Sequence, residues 1–263
     1  MKLAILSDVH ANLVALDAVL RELEPEGVDA IACLGDMIQG GPQPAQTVAR
    51  LRDLGCPVVM GNSDAWLLSG RMTGTETLSD EQQARLEQGR QWSLAELSAA
   101  DRDYIAGFSP TIEVALAEGL SLLGFHGSPA DFDQFIFPTT PEPEFQALLS
   151  PHAHCILAGG HIHLQFVRRV RDLFFFNPGS VGVAYHHEQA APGLRLDPWA
   201  EYAILTLRGR RIGLEFRRTP FDVNRLLQVY RSCGCPFPER ALQHYGTGTP
   251  SRASSKPAAA CSA

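Results

Sequence analysis

The sequence predicts an α/β fold in which two β-sheets pack face to face and helices cover the outside. In the first half of the chain, short apolar runs alternate with segments whose apolar residues recur at helical spacing. This alternation is typical of βαβ units and predicts a parallel sheet. In the second half, paired apolar runs separated by short turns favour antiparallel hairpins. Because no linker-like segment divides residues 1–245, we expect a single domain there.

Three strands and two helices are predicted in the first part of the chain. Asn12 is a plausible N-cap of the first helix, and Gly55 closes the second. The predicted strands are LAILSDV (3–9), AIACLGD (30–36) and PVVMGN (57–62). The predicted helices are NLVALDAVLRELE (12–24) and PAQTVARLRDLG (44–55).

A helical insertion is predicted at about residues 65–110, because the rhythm of strands and helices breaks there. Ser79 followed by Gln82 resembles a capping box, and a helical pattern continues after it. Residues 246–263 are rich in Gly, Ser, Pro and Ala, so we expect a disordered tail. Between these segments the pattern predicts two strands joined at Glu118–Gly119, a buried strand at 154–163, hairpins at 165–180 and 202–216, and a helix at 222–232.

Composition narrows the class of protein. The chain has 263 residues and a formal net charge of −7 at pH 7, which argues against nucleic acid as a partner. The six cysteines show no secreted disulfide framework. The N-terminal stretch MKLAILSDVH is neither a signal peptide nor a membrane span, so we expect a cytoplasmic protein without a membrane partner. A homo-oligomer is left open.

Polar side chains recur at one kind of place, the carboxyl end of a predicted buried strand. Binding sites of open α/β sheets form at such ends. Two pairs, Asp8/His10 and His161/His163, have i, i+2 spacing, which in an extended segment puts both side chains on one face. The side chains expected to gather at these ends are Asp8, His10, Asp36, Asn62, His126, His161 and His163.

The chemistry of this set indicates divalent metal ions. Carboxylates and imidazoles suit divalent first-row metals, and thiolates are absent from the set. The set is too large for one tetrahedral ion, but it is enough for two ions that share a bridging carboxylate. Two such ions with two aspartates would leave the site net positive, so it would attract phosphate even on an acidic protein.

The order of the motifs is similar to that of the calcineurin-like metallophosphoesterase superfamily over about residues 1–220. The superfamily pattern is D-x-H, G-D, G-N-H-[D/E], H and G-H-x-H. The stretches GDMIQGGP and NPGSV further resemble a small bacterial, phosphodiesterase-like subgroup. The matching stretches are DVH (8–10), GD (35–36), GNSD (61–64), FHG (125–127) and GHIH (160–163).

The resemblance implies a fold, a ligand set and an activity. The fold would be a sandwich of two mixed sheets flanked by helices. One ion would be held by Asp8, His10, Asp36 and His163, and the other by Asp36, Asn62, His126 and His161. Asp36 would bridge the two ions together with a water or hydroxide, which attacks the phosphorus of a phosphate ester. The metal could be manganese, iron, zinc, cobalt or nickel.

The chain departs from the superfamily pattern at Ser63, where a histidine is thought to assist the leaving group. Asn62 and Asp64 remain as candidate catalytic residues, since an amide oxygen can bind metal while its N–H₂ group donates to phosphate. Asp64 could instead cap the helix that follows it. His186 or His187 could replace the missing proton donor.

The leading hypothesis is a phosphodiesterase that acts on a small phosphate ester or nucleotide. A phosphomonoesterase, including a nucleotide or dinucleoside-polyphosphate hydrolase, is the enzymatic alternative. A non-catalytic protein-interaction module on the same fold is the alternative of another class, and the complete set of ligand positions argues against it. Asn12 and Gln39 lie next to predicted ligands and could contact substrate.

Overall fold

Two β-sheets form the centre of the protein, and the computed structural model describes residues 1–73, 78–153, 155–189, 194–209 and 211–245. The strands are β1 (Lys2–Leu6), β2 (Ala30–Cys33), β3 (Thr111–Ala117), β4 (Leu120–Phe125), β5 (Ile156–Ala158), β6 (Phe166–Val170), β7 (Leu173–Asn177), β8 (Trp199–Arg208) and β9 (Arg211–Pro220). The first sheet has the order β2-β1-β8-β9, and the second has the order β3-β4-β5-β7-β6. The predicted two-sheet α/β fold is confirmed.

Both sheets are mixed. In the first sheet β1 pairs with β2 in parallel and with β8 antiparallel, and the β8–β9 hairpin completes the edge. In the second sheet β4, β5 and β7 are parallel, whereas the edge strands β3 and β6 are antiparallel. The two halves of the chain therefore do not form separate sheets, because the β8–β9 hairpin returns to the parallel pair at the N-terminus.

The predicted strand at residues 57–62 is wrong. Val58 and Val59 form only isolated bridges, to Cys33 on one side and Ser109 on the other. The backbone has no room for a longer ladder, because the chain enters a helix at Asn62. This short extended segment pairs with the end of β2 on one side and with the residues just before β3 on the other. It therefore links the two sheets.

The helices follow the predicted signals in most places. Asn12 accepts a hydrogen bond from the backbone N–H of Ala15, Gly55 ends the second helix, and the Ser79–Gln82 capping box is present. The helical pattern predicted after residue 79 forms a helix that ends at Glu96, and a further helix begins at Ala99. The helices are α1 (Leu13–Glu26), α2 (Pro44–Leu54), α3 (Asn62–Ser69), α4 (Asp80–Glu96), α5 (Ala99–Ala106), α6 (Glu142–Leu149), α7 (Val223–Ser232) and α8 (Pro238–His244).

The core consists of three apolar layers, and β1 shows how they arise. Its alternate residues Leu3 and Ile5 face the second sheet and pack in a cluster with Phe176 of β7. The intervening residues Ala4 and Leu6 pack in the cluster that contains the apolar face of α1. A third cluster joins the other face of the second sheet to α6. The layers therefore run helix, sheet, sheet, helix. The carboxyl ends of β1 and β2 in one sheet and of β4 and β5 in the other lie at one edge of this sandwich.

Two parts of the predicted domain organisation stay predictions. Residues 246–263, the predicted disordered tail, lie outside the described residues. Between residues 62 and 106 the described chain is helical where it is regular, in α3, α4 and α5, but the single-domain boundary at 245 is not tested. Within the described ranges, the helices are too short or too polar to cross a membrane.

Phe176→Ala is expected to lower the free energy of unfolding by about 3–5 kcal/mol, because it opens a cavity between the two sheets. The side chain of Phe176 is fully buried in that layer. Urea denaturation followed by circular dichroism measures the change. Ile212→Ala on the exposed face of β9 is the matched control and should change stability little. A small loss for Phe176→Ala would contradict the inter-sheet layer described above.

Candidate metal centre

The seven predicted ligand residues converge at one edge of the sandwich. The ligand atoms of Asp8, His10 and His163 lie within 4.8 Å of one another, and those of a second group do the same. The second group consists of Asp36, His126 and His161. Beside it lies Asn62, whose Oδ1 is 2.9 Å from Nε2 of His126.

Each ligand residue follows or begins an element of the fold. Asp8 and His10 follow β1, and Asp36 follows β2 of the same sheet. The second sheet supplies His126 after β4, and both His161 and His163 after β5. Asn62 is the first residue of α3.

Five of these residues have a left-handed backbone, which is uncommon for residues other than glycine. The φ angles are 55° for Asp8, 48° for His10, 52° for Asp36, 72° for His161 and 52° for His163. The backbone of the two i, i+2 pairs is therefore not extended. The expectation that both side chains of a pair lie on one face is wrong for His161 and His163, because they belong to different groups. Such backbone strain is concentrated at functional sites, where the surrounding structure holds it.

Backbone carbonyls fix the orientation of three imidazoles. Nδ1 of His10 donates to the carbonyl of Gln39 at 2.8 Å, and Nδ1 of His163 donates to the carbonyl of Val183 at 2.9 Å. Nδ1 of His126 donates in the same way, to the carbonyl of Leu34 at 2.7 Å. Since a carbonyl can only accept, the proton lies on Nδ1 and the lone pair of Nε2 is directed at the cluster.

The nitrogen and oxygen atoms that meet at the centre are hydrogen-bond acceptors that face other acceptors. Nε2 of His163 lies 3.2 Å from Nε2 of His10 and 3.1 Å from Oδ1 of Asp8. Nε2 of His161 is buried and has no hydrogen-bond partner within the described part of the chain. Lone pairs at these distances repel unless a cation lies between them. Oxygen and imidazole donors of this kind suit a divalent first-row metal, so the residues fit a metal centre.

Protons compete for the same positions. Burial lowers the pKa of His126, but the Asp36 carboxylate outweighs burial and raises it to about 10. Burial likewise opposes the charged form of His163, and the Asp8 carboxylate raises its pKa all the same. The centre therefore demands positive charge, which either protons or metal ions supply.

Asp36 belongs to the second group and also faces the first. Its Oδ2 is 3.8 Å from Nε2 of His10 and 3.5 Å from Nε2 of His126. Ser63 holds this carboxylate with two hydrogen bonds, from its backbone N–H to Oδ1 at 2.8 Å and from its hydroxyl to Oδ2 at 2.7 Å. Sequence reasoning missed this role of Ser63, because no pattern relates positions 36 and 63.

Asp64 supports the loop that carries Asp36. It is fully buried, and its carboxylate accepts hydrogen bonds from the backbone N–H groups of Met37 at 3.1 Å and Ile38 at 2.9 Å. The suggested helix cap is therefore wrong, since these donors belong to another segment and α3 already begins at Asn62. Burial and the charge of Asp36 raise the pKa of Asp64 to about 7. A catalytic role stays a prediction, and the contacts favour positioning.

The NPGS turn forms the floor of the site. Nδ2 of Asn177 donates to the carbonyl of Gly160 at 2.6 Å, and the hydroxyl of Ser180 donates to the carbonyl of Asp8 at 2.8 Å. Just after the turn, a Cβ on Gly182 would meet the carbonyl oxygen of Val9 at 1.8 Å, so only glycine fits there. The turn thus ties the loop after β1 to the loop after β5.

Asn12 has a structural role. Its side chain accepts a hydrogen bond from the N–H of Ala15 and donates to the carbonyl of Gly182 at 3.0 Å. Both polar groups of the buried amide therefore have protein partners. This geometry does not support the contact with substrate that its position in the sequence suggested.

The comparison with protein families decides the relationship. Residues 1–197 match the family described as the calcineurin-like phosphoesterase superfamily domain. The chain belongs to this superfamily. The resemblance to the superfamily is therefore confirmed, and the superfamily is one of metal-dependent phosphoesterases. The resemblance to the bacterial, phosphodiesterase-like subgroup stays a prediction.

Two solved structures share the fold of this calcineurin-like phosphoesterase. A metallophosphoesterase from Sphaerobacter thermophilus is 23% identical, with a TM-score of 0.69 over 93% of this chain and 99% of that one. The hypothetical protein PH1004 from Pyrococcus horikoshii OT3 is 18% identical, with a TM-score of 0.74 over 94% and 99%. The uncharacterized protein MJ0912 from Methanocaldococcus jannaschii is 44% identical over 66 residues, which span only 27% of its length and 25% of this chain.

The exposed His187 lies near the centre of this phosphoesterase. Nε2 of His187 lies 3.2 Å from the carbonyl oxygen of His163, and its ring stacks on Tyr185 with the centroids 4.4 Å apart. Both His186 and His187 are exposed. Their suggested role as a proton donor stays a hypothesis.

Ser63→Ala is expected to weaken divalent metal binding roughly 10- to 100-fold, the effect typical of losing a hydrogen bond to a metal ligand. The reason is that the hydroxyl of Ser63 fixes Oδ2 of Asp36 between the two groups. Titration of metal-stripped protein with Mn²⁺ and Zn²⁺, read by calorimetry, measures the affinity. Ser69→Ala, at the exposed end of α3, is the matched control. Equal affinities in Ser63→Ala and wild type would show that Ser63 does not position Asp36.

Proposed function

We propose that the protein is a metal-dependent phosphoesterase that uses two divalent ions and acts on phosphodiesters. The observation that carries this proposal is the position of Asp36, whose Oδ2 faces imidazoles of both ligand groups. A carboxylate in that place can serve two ions at once. The separation of the remaining ligands into two groups supports the same conclusion.

The proposed ligand sets follow the two groups. Asp8, His10, Asp36 and His163 would hold one ion, and Asp36, Asn62, His126 and His161 would hold the other. When bound, two such ions lower the pKa of water for attack on phosphorus and offset the charge of the phosphate oxygens. The donor set allows manganese, iron, zinc, cobalt or nickel.

The residues of the chain bind and orient the substrate's phosphate. Asn62 directs Oδ1 at His126, which leaves its N–H₂ group as a donor for a phosphate oxygen. Ser63 and Asp64 keep Asp36 in place, directly and through the backbone of residues 37 and 38. Rigid support of this kind matters because small displacements of reacting groups cost large factors in rate.

The preference for diesters rests on Ser63. Its hydroxyl donates to Asp36 and therefore has no proton to give to a leaving group. A serine hydroxyl is also far too weak an acid for that role near neutral pH. Without a proton donor, esters whose alcohol departs unaided react best, as aryl diesters do. Monoesters and dinucleoside polyphosphates are the alternatives that substrate profiling distinguishes.

Asp36→Asn is expected to reduce the hydrolysis of bis(p-nitrophenyl) phosphate to background, because the shared ligand loses its charge. The assay uses metal-stripped protein reloaded with each candidate metal, with metal content measured on the same samples. Asp53→Asn, on the exposed surface of α2, is the matched control and should retain full turnover. Substantial turnover by Asp36→Asn after complete metal removal would refute the two-ion proposal.

Ser63→His is expected to raise the turnover of alkyl monoesters relative to aryl diesters. An imidazole at this position can protonate an alkoxide, and general acid catalysis typically contributes about 10²–10⁴-fold. The measurement is the ratio of kcat/KM for the two ester types, with Ser63→Ala to separate loss of the hydroxyl from gain of the imidazole. Wild type preferring alkyl monoesters would point to another proton donor, with His186 and His187 tested first.

A further inference from the structure

A pocket of about 310 Å³ opens beside the proposed metal centre. At one end it is lined by His10, Gln39 and Ser63, which ligate, contact or support the centre. At the other end it extends between helices α3 and α4 and the segment after α7. The volume of the pocket lies at the lower end of the range typical of small-molecule sites. The pocket is continuous with the place where a phosphate would bind.

Aromatic side chains form much of the wall. Trp66 of α3 is buried, and Trp92 of α4 and Tyr230 of α7 are half-buried. All three line the pocket. Flat aromatic walls suit a flat aromatic ligand, because stacking brings two large faces into contact.

Gln39 adds a polar group to this apolar pocket. Its side chain is 6% exposed, and Oε1 is buried without a hydrogen-bond partner in the described ranges of the chain. The carbonyl of the same residue accepts the hydrogen bond from Nδ1 of His10, which fixes the residue relative to the centre. Since an unpaired buried oxygen is destabilising, a ligand that donates a hydrogen bond to this oxygen when the amide turns toward the pocket gains affinity.

Gly89 keeps the pocket open. It lies in the interior of α4, where glycine is among the weakest helix formers, and it lines the pocket. A Cβ at this position would meet no atom within 4 Å, so backbone crowding does not require glycine. The absence of a side chain therefore contributes volume to the pocket.

The charge in the pocket is balanced. Arg85 lines the wall, but its guanidinium pairs with Glu81 one turn earlier in α4. This arginine is therefore not available as an unpaired cation for a second phosphate of the ligand. A neutral ring with hydrogen-bond donors fits it better than a polyphosphate does.

We propose that this pocket binds the heteroaromatic base of a nucleotide ester whose phosphate lies at the metal centre. The base would stack against the tryptophan side chains, and an exocyclic amine or ring N–H would donate to Oε1 of Gln39. This substrate class rests on the proposed phosphoesterase function and narrows it to esters of nucleosides.

The test measures binding of AMP, the kind of product such a reaction releases, by tryptophan fluorescence. The chain has three tryptophans, and Trp66 and Trp92 line the pocket, so a stacked base should quench much of the emission. Glycerol phosphate and inorganic phosphate are the probes without a base. Wild type is expected to bind AMP roughly 5- to 150-fold more tightly than either, the range that base stacking contributes.

Gly89→Leu fills the pocket and is expected to weaken AMP binding at least about 5-fold while leaving the affinity for inorganic phosphate unchanged. Gly89→Ala should raise the melting temperature, which shows that α4 tolerates a side chain here. Gln88→Ala, exposed on the same helix, is the matched control. Should Gly89→Leu fail to fold, Trp92→Ala gives the same comparison, with AMP binding measured by calorimetry because this variant lacks one of the reporter tryptophans.

Equal binding of AMP and glycerol phosphate, or unchanged AMP binding in Gly89→Leu, would overturn the assignment of the pocket. Hydrolysis of bis(p-nitrophenyl) phosphate separates this result from failure of the proposed function. An active enzyme that does not discriminate AMP refutes the pocket alone. An enzyme inactive with every metal refutes the function, whereas pocket-dependent quenching by AMP would still establish the binding site.

Discussion

The constraint on which the site depends is the crowding of buried acceptor atoms, which only a proton or a metal ion can separate. Backbone carbonyls accept hydrogen bonds from Nδ1 of His10, His126 and His163. The Nε2 atom of each ring therefore faces other acceptors. Held in this way, Asp8 and Asp36 create a demand for positive charge, which protonated histidines or metal ions supply. The left-handed ligand residues and the close approach of Gly182 to Val9 serve to keep these mutually repelling groups together.

The sandwich makes that arrangement possible because both sheets end at the same edge. β1 and β2 deliver two aspartates and one histidine, whereas β4 and β5 deliver three histidines. The NPGS turn after β7 connects the two sets through Ser180, which bonds the backbone of Asp8, and Asn177, which bonds the backbone next to His161. The centre is therefore a property of the packed sheets and of no single loop.

The side chains that converge at this edge could be predicted from the sequence because each follows a short apolar run, and such runs are local patterns. The predictions that were wrong and the residue roles that were missed depend on contacts between distant positions in the chain. The left-handed turns at Asp8 and His161 are not visible in residue spacing, so an extended segment was expected there. The contact of Ser63 with Asp36 and the bonds of Asp64 to another loop follow only from folding. The segment expected as a strand at 57–62 forms only isolated bridges to Cys33 and Ser109 before the chain enters α3 at Asn62.

The proposed ligands are spread along the chain from Asp8 to His163, so metal bound at them would couple the metal supply to the amount of folded protein. In the unfolded chain these residues are scattered, so metal binds the folded form selectively and adds a stabilisation that grows with free metal concentration. Above the dissociation constant of a site, each tenfold increase contributes about 1.4 kcal/mol. Metal starvation would thus reduce activity twice, by emptying the centre and by exposing the chain to proteolysis. The abundance of the protein would then report on metal homeostasis as well as on its synthesis.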